Sequence, residues 1–399
     1  MNPIPVLSGT EAAAWDTAAR TQYRVPSRVL MEAAGRACAS VLVTEFPDVV
    51  TRGALVVAGA GNNGGDGWVL ARALHTAGIP VWVSALDPKT DDAIDNRALA
   101  RVDGVRELGR DEPWPAAALA VDALLGTGAA GPARGDVLAM AQRLVAYAAP
   151  VLAVDGPTGL DFSSGEAHGP VRAQVTITFG GPRRGHLLAR EWCGKIIVVD
   201  IGLPPPDPAW PVLVTDAWAG ARLPRLRAAM HKGERGRVTV VGGASGMTGA
   251  ALHAARAALA GDALADAAAN DRWEAAAKAA QKIKGTILLK GVPTVVADAR
   301  GPLHTIASGN PGLATGGSGD LLSGLIGAFL ARGTAPVEAA ALGAHALGRA
   351  AEHGARQWTA RSLRPADVLA ALPDIWRAWS NAKPQGPPVL AVLEQPEVA

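Results

Sequence analysis

The chain has 399 residues, a length typical of two domains rather than one. Its 38 basic and 36 acidic residues are scattered along the sequence, and aromatic residues make up only 4% of it. This composition excludes a basic stripe of the kind that binds nucleic acid. No apolar run approaches the roughly 20 residues that span a bilayer. The first residues lack a signal-peptide pattern. We therefore expect a cytoplasmic protein, with no nucleic-acid or membrane partner and with Cys38 and Cys193 buried.

The first half of the chain predicts a parallel sheet. Apolar residues at helical spacing predict a helix from 27 to 46, with Ser27 as its N-cap. Apolar runs without polar alternation follow, and helical stretches separate most of the early ones, which is typical of buried parallel strands. These runs are LVVA (55–58), VWVSAL (81–86), LAVDALL (119–125), VLAVD (151–155), VTITF (175–179) and KIIVVDIGL (195–203).

The loop after the first run carries the most informative sequence, GAGNNGGDG (59–67). A strand, a glycine-rich turn and a helix start together form an anion site, because the first N–H groups of the helix point outward. Asn62, Asn63 and Asp66 add three short side chains that carry oxygen atoms, which suit a cation or a proton transfer. The motif is neither the dinucleotide fingerprint nor the Walker A loop.

Two further loops follow predicted strands and should lie at the same edge of the sheet. One offers Asp122 and a glycine turn over 126–132, and the other offers Asp155, Thr158 and Asp161. Oxygen ligands of these kinds suit a hard cation, the glycine turns suit a phosphate, and a further aspartate could serve as acid or base. Any one of these residues alone is explained as well by capping a turn. We predict His75 and His186 to be structural or surface residues.

A proline-rich segment, LPPPDPAWP (203–211), predicts the domain boundary. A second α/β unit begins near His231. It includes a polar, alanine-rich helix between 260 and 281, a strand at 287–291, a hairpin over 294–306 and the segment GNPGLATGGSGD (309–320). We expect domains at 1–215 and 225–382 and a loose tail at 383–399.

The elements SRVLMEAAGRA, VAGAGNNGGDGWVLARAL, VDALLGTG and VLAVDGPTGLD resemble the NAD(P)H-hydrate epimerase family in order and spacing. The resemblance implies a Rossmann-like domain that interconverts the R and S epimers of hydrated NADH or NADPH. It implies potassium ligands at Asn63, Asp122 and Thr158 and an acid–base residue at Asp155, which also binds the substrate. The implied substrate contacts are Asn62, Asn63, Gly64, Gly65, Asp66, Gly126, Thr127, Gly128, Ala129, Ala130, Gly131 and Pro132.

The family usually reads Asp-Ile-Pro-Ser-Gly where this chain has DGPTG (155–159). Thr158 keeps the hydroxyl oxygen, so cation binding should survive the change. Gly156 adds backbone freedom beside Asp155, and we expect it to loosen the site.

The segment NPGLATGGSGDLLSGLIGAF resembles the ribokinase-like, ADP-dependent NAD(P)H-hydrate dehydratases. The resemblance implies ADP and Mg²⁺ as cofactors, Asp320 as a catalytic and hydrate-binding residue, and Ala250 in the hydrate pocket. It also implies nucleotide contacts at Lys290, Gly291, Val292, Pro293, Thr294 and Gly319. The fold class expected is thus α/β, with a Rossmann-like domain followed by a shortened ribokinase-like domain.

The second domain is short, because the family's next strand and its Asp-Ala-Asp and Pro-His-Pro-Gly-Glu elements are absent. We expect an intact epimerase half and an impaired dehydratase half. The alternatives are a ribokinase-like small-molecule kinase and a non-catalytic Rossmann-like scaffold. The resemblance to these families also implies a homo-oligomer.

Overall fold

The computed structural model describes residues 3–126, 128, 131–224, 271–382 and 386–396. The chain divides into two compact units. The first comprises Met1–Asp207 with Gln385–Gln395, and the second comprises Pro208–Pro384 with Pro396–Ala399.

The first unit is built on an eight-stranded sheet with the order β12-β7-β6-β5-β4-β1-β2-β3. All pairings are parallel except that of β12 with β7. The strands are β1 (Ala54–Ala58), β2 (Val81–Ala85), β3 (Arg106–Glu107), β4 (Leu119–Ala123), β5 (Val151–Val154), β6 (Val175–Phe179), β7 (Lys195–Val199) and the last strand of the chain, β12 (Val389–Leu393).

Helices connect these strands. They are α1 (Gly9–Thr21), α2 (Ser27–Glu45), α3 (Val49–Arg52), α4 (Asn62–Thr76), α5 (Asp91–Val102), α6 (Gly135–Val145), α7 (Arg184–Leu188) and α8 (Arg190–Cys193). The predicted helix at 27–46 is confirmed as α2, but its N-cap is Pro26, and Ser27 is the first helical residue. The parallel pairings confirm the predicted parallel sheet. The apolar runs of β1, β4, β5 and β6 are explained by their burial along the whole strand.

The order of the strands locates a ligand site. The chain runs outward from β1 through β2 to β3, then returns to place β4 on the other side of β1. Ligands of doubly wound sheets bind at such a reversal, beyond the carboxyl ends of the strands. The loops after β1 and β4 flank this point and are the loops that the sequence selects.

The tail prediction is wrong for residues 389–393. They form β12, which pairs antiparallel with β7 and covers the edge of the sheet. Asp200 N–H also donates to the carbonyl of Pro388 over 2.7 Å. The run VLAVL gains its strand conformation from this long-range pairing, which the local sequence does not encode.

The described part of the second unit is also α/β. Its sheet has the order β8-β11-β10-β9, and the hairpin predicted over 294–306 is confirmed as the antiparallel pair β10 and β11. Its strands are β8 (Val212–Leu213), β9 (Ile287–Leu289), β10 (Thr294–Ala297) and β11 (His304–Ile306). Its helices are α9 (Asp216–Gly220), α10 (Arg272–Ile283), α11 (Ser318–Ala331), α12 (Pro336–Trp358) and α13 (Pro365–Ser380). Within the ranges given above, none of the helices has the length and apolarity needed to cross a membrane.

Candidate active sites

The loops after β1 and β4 lie against each other with no room for side chains between them. A Cβ atom on Gly59 would lie 1.9 Å from the carbonyl oxygen of Leu124, and one on Gly64 would lie 1.9 Å from the carbonyl oxygen of Gly59. Gly59 N–H donates to the Ala123 carbonyl over 2.9 Å. These glycines are therefore required by close backbone approach, and they fix the first turn of α4 at the reversal of the sheet.

Asn63 is the clearest sign of a ligand site. It lies in the first turn of α4 and is only 9% exposed. Both its Oδ1 and its Nδ2 are buried without a hydrogen-bond partner among the described residues. A buried amide that loses water without gaining a partner is costly, so its retention points to a ligand that supplies the missing contacts.

Asp66 lies three residues further along α4 and belongs to the same polar cluster. Withdrawal from water, followed by the negative charges of Asp155 and Asp16, raises the pKa of Asp66 well above its usual value. The negative charge of Asp155 thus contributes to the raised pKa of Asp66.

Asp122, at the end of β4, binds Thr158 in the loop after β5. Thr158 Oγ1 donates to Asp122 Oδ1 and Thr158 N–H donates to Asp122 Oδ2, both over 2.8 Å. Leu124 N–H donates to Asp122 Oδ1 over 3.2 Å. Burial raises the pKa of Asp122 to about 6, and these hydrogen bonds oppose that rise. Asp161, by contrast, accepts from Ser163 and Ser164 N–H groups and caps a turn.

Asp155 follows β5 directly and has an unusual backbone. Its φ angle is +63°, in the left-handed region that non-glycine residues seldom adopt, and it is 8% exposed. A Cβ atom on Gly126 would lie 2.9 Å from Asp155 Oδ2 and 3.2 Å from Asn63 Cβ. Gly126 therefore brings the loop after β4 between the two predicted functional side chains, Asp155 and Asn63.

Gly156 is tightly packed rather than loose. A Cβ atom there would lie 2.1 Å from Phe162 Cε1 and 2.7 Å from His186 Nε2. The rings of Phe162 and His186 meet edge to face with centroids 4.9 Å apart. The expectation that Gly156 loosens the site is wrong, since these two rings fill the space that a side chain at 156 would need.

Sequence reasoning missed Arg183, whose Nη2 lies 3.7 Å from Asp155 Oδ1 across a buried ion pair. His186, predicted to be a structural or surface residue, is fully buried and packs next to Gly156. The available signal was the position of GPRRGH directly after a strand that neighbours β5. Cys38 and Cys193 are buried, as predicted. Among the predicted contacts, Gly128 and Pro132 are exposed and Gly131 is half-buried, while Thr127, Ala129 and Ala130 lie outside the described residues.

In the second unit the structure brings Lys290 to the start of α11. Lys290 Nζ donates to Ser318 Oγ over 3.0 Å, and Ser318 is the first residue of that helix. Gly319 and Asp320 follow in the same exposed first turn. The loop 290–294 is closed by Thr294 Oγ1, which donates to the Gly291 carbonyl over 3.0 Å. A lysine beside the first turn of a helix provides the positive charge and the N–H groups that phosphates require.

Asp320 also lies at an apolar cavity of about 280 Å³ formed between α11, α12 and α13. Leu321, Leu347 and Val368 are among the residues that line it. Val292, in the loop 290–294, is 69% exposed. Ala250, predicted in the hydrate pocket, lies outside the described residues.

Within the described ranges, no group of three His, Cys, Asp or Glu side chains is placed to hold a metal. The predicted potassium ligands form a different set, with one amide, one carboxylate and one hydroxyl.

Both units match known protein families. Residues 27–185 match the family model described as YjeF-related protein N-terminus, and residues 257–374 match that described as NAD(P)H-hydrate dehydratase. The bifunctional NAD(P)H-hydrate repair enzyme Nnr of Moorella thermoacetica is 30% identical, with 93% of this chain and 96% of the relative covered.

The NAD(P)H-hydrate epimerase of Rhodopirellula baltica is 35% identical over 50% of this chain and 86% of its own length. The crystal structure of the yeast protein YNL200c aligns with a TM-score of 0.45 and 24% identity, covering 50% of this chain and 94% of the yeast chain. The chain belongs to the family of bifunctional NAD(P)H-hydrate repair enzymes.

Proposed function

We propose that the first unit interconverts the R and S epimers of hydrated NADH and NADPH, with Asp155 as the acid–base residue. The observation that carries this proposal is the convergence on Gly126 of Asp155 and of the Asn63 amide, which has no hydrogen-bond partner within the described part of the chain. They meet at the strand-order reversal, where doubly wound sheets bind nucleotides. The substrate belongs to the same class as the nucleotides that such sites hold.

The residues divide by role. The first turn of α4, with Asn62 to Asp66, and the glycine turn over 126–132 would hold the phosphates and ribose through backbone N–H groups. Asp155 would then transfer protons at the ring carbon that bears the hydroxyl. As an acid it would protonate the hydroxyl, which leaves as water, and as a base it would deprotonate the water that adds to the opposite face of the same carbon. Its low exposure keeps bulk water away from the carboxylate that performs the transfer.

Asn63, Asp122 and Thr158 fit a potassium ion. The Asn63 amide oxygen is buried and has no partner among the residues that the structure describes. The Asp122 carboxylate, at the end of β4, lies 2.8 Å from the Thr158 hydroxyl in the loop after β5. A bound potassium ion would supply positive charge for the substrate's anionic groups. Oxygen ligands of mixed type suit a hard cation such as potassium, whereas transition metals are held by sets rich in His and Cys.

The test is direct. The purified full chain is incubated with one pure epimer of NADH hydrate, in potassium chloride and in choline chloride at equal ionic strength. Chromatographic separation of the two epimers should show rapid equilibration that is faster in potassium. A rate equal to that of the enzyme-free solution would contradict the epimerase assignment and favour the scaffold alternative.

We also propose that the second unit binds ADP and Mg²⁺ through Lys290 to Thr294 and Gly319, with Asp320 acting on the S hydrate, and that this dehydration is impaired. The alignment with the Moorella relative spans 511 positions, more than the 399 residues of the chain, so gaps fall within it. The sequence lacks the strand, Asp-Ala-Asp and Pro-His-Pro-Gly-Glu elements expected there.

The impairment is tested by following NADH formation from the S hydrate with ADP. Dehydration at the rate of a relative that retains the missing elements would contradict it. Phosphorylation of an alcohol acceptor by ATP would instead favour the kinase alternative. We retain 1–215 and 225–382 as the proposed domains, and cytoplasmic location and a homo-oligomer as further proposals.

A further inference from the structure

We propose that Arg183 is a positioning residue for the Asp155 carboxylate, an assignment that rests on the proposed role of Asp155. Arg183 follows β6, the neighbour of β5, and is 6% exposed. Its Nη2 lies 3.7 Å from Asp155 Oδ1, and both side chains are about nine-tenths buried. This separation allows a charge–charge attraction, which is strong where water is excluded.

The guanidinium is held from its other side by main-chain oxygens. Arg183 Nη1 donates to the Gly181 carbonyl over 2.6 Å and to the Phe179 carbonyl over 3.4 Å. The side chain therefore spans from the end of β6 to the residue after β5. A buried arginine fixed in this way presents its charge at one place rather than sweeping through space.

The backbone of Arg183 is also fixed. Its N–H donates to His186 Nδ1 over 3.1 Å, and its carbonyl accepts from His186 N–H over 3.1 Å. Arg184 N–H donates to the Leu7 carbonyl over 2.8 Å. His186 and the N-terminal segment thereby hold the turn, and His186 also packs beneath Gly156. One cluster thus supports both Arg183 and the Asp155 loop.

Asp155 needs such support because its left-handed backbone is strained, and a strained residue keeps its conformation only when its neighbours impose it. Arg183 attracts the charged end of the Asp155 side chain. Without it the Asp155 carboxylate would move away from the reacting carbon, although the substrate would still be bound by the loops after β1 and β4.

The test uses the full chain with Arg183→Met, which keeps the apolar stem, and Arg183→Lys, which restores a positive charge. Arg184→Met is the matched control, because the neighbouring Arg184 pairs with Glu11 over 3.3 Å. Epimer interconversion is measured as kcat and KM. We expect Arg183→Met to lower kcat at least tenfold with KM within threefold, Arg183→Lys to recover most of the loss, and Arg184→Met to match the wild type.

A double-mutant cycle separates positioning from packing. Arg183→Met should have no further effect on kcat in the Asp155→Asn background. Equal kcat for Arg183→Met and the wild type, or equal losses in both backgrounds, would overturn the proposal. If Arg183→Met does not fold, the same cycle is run with Arg183→Gln, which also removes the charge, in urea unfolding, where additive effects would overturn the proposal. A wild type without activity would refute the proposed function, whereas the unfolding cycle would still decide the coupling.

Discussion

The hydroxyl of Thr158 lies 2.8 Å from the carboxylate of Asp122, and this contact joins the end of β4 to the loop that follows the adjacent parallel strand, β5. The same hydroxyl oxygen accepts a hydrogen bond from Leu125 N–H over 3.1 Å. Thr158 therefore fixes the loop after β5 against both the end of β4 and the loop after it. A serine would preserve these contacts, whereas a valine would keep only the shape.

This difference gives the first prediction. Thr158→Ser should keep potassium-stimulated epimerisation, and Thr158→Val should lose it, because only the hydroxyl can donate to Asp122 and contribute an oxygen ligand. The rate is measured against potassium chloride at constant ionic strength, and the melting temperature of each variant is followed in the same series. Potassium should raise the melting temperature of the wild type and of Thr158→Ser, but not that of Thr158→Val. Equal potassium responses in Thr158→Val would contradict the assignment.

Gly156→Ala should destabilise the first unit. Its new methyl group would overlap the ring of Phe162 and the imidazole of His186, and overpacking of this kind costs about 1–3 kcal/mol in the free energy of unfolding. Gly61→Ala is the control, because no heavy atom lies within 4 Å of a Cβ there. Urea denaturation followed by circular dichroism measures both. Equal midpoints for the two variants would show that the space beneath Asp155 is not filled as described.

Asp216 is the centre of a network that stabilises the second unit. Its Oδ1 contacts His345 Nε2 at 2.9 Å and accepts from Trp379 Nε1 over 2.9 Å, and its Oδ2 accepts from Arg349 Nη2 over 2.9 Å. Burial alone would raise the pKa of Asp216, but the hydrogen bond and charge of His345, with the charge of Arg349, hold it well below the usual range.

Asp216→Asn should therefore lower the free energy of unfolding by about 2 kcal/mol at pH 6, the order expected for hydrogen bonds to a charged group. Because the folded pKa is depressed, this stabilisation is complete above the unfolded pKa of about 3.9 and declines as the pH falls below it. The gap between variant and wild type should narrow below pH 4. The control is Glu338→Gln, which removes an exposed pair with Arg222 and should cost under about 1 kcal/mol. If the difference in free energy of unfolding between the wild type and Asp216→Asn does not change with pH, the proposed stabilising role of the Asp216 charge is contradicted.

Lys290→Met should weaken ADP binding about tenfold, which corresponds to about 1.4 kcal/mol. The side chain of Lys290 donates a hydrogen bond to Ser318, the first residue of α11, where its positive charge would attract a phosphate. Lys282→Met, on the exposed surface of α10, is the matched control and should bind as the wild type does. Calorimetric titration with Mg-ADP gives both dissociation constants. Equal affinities for the two variants would place the nucleotide elsewhere.

The comparison of sequence and structure shows which features are local. Apolar residues and glycines within one segment are enough to predict β1, the glycine turn and α4. The reversal of strand order then places Asn63 near Asp155. The Arg183–Asp155 pair and β12 depend on contacts between segments distant in the chain. No local pattern predicts them. The packing at Gly156 depends in part on such a contact, because His186 belongs to α7, 30 residues further along the chain.

The central claim is that Asp155 transfers the proton, and Asp155→Asn tests it most directly. The asparagine keeps the size of the side chain but removes its ability to act as acid or base, so the rate of R-to-S interconversion should fall by about 10²–10⁴-fold. Binding of the hydrate to the variant, measured by equilibrium dialysis, should remain. A variant that interconverts the epimers at the wild-type rate would contradict the assignment of Asp155 as the acid–base residue.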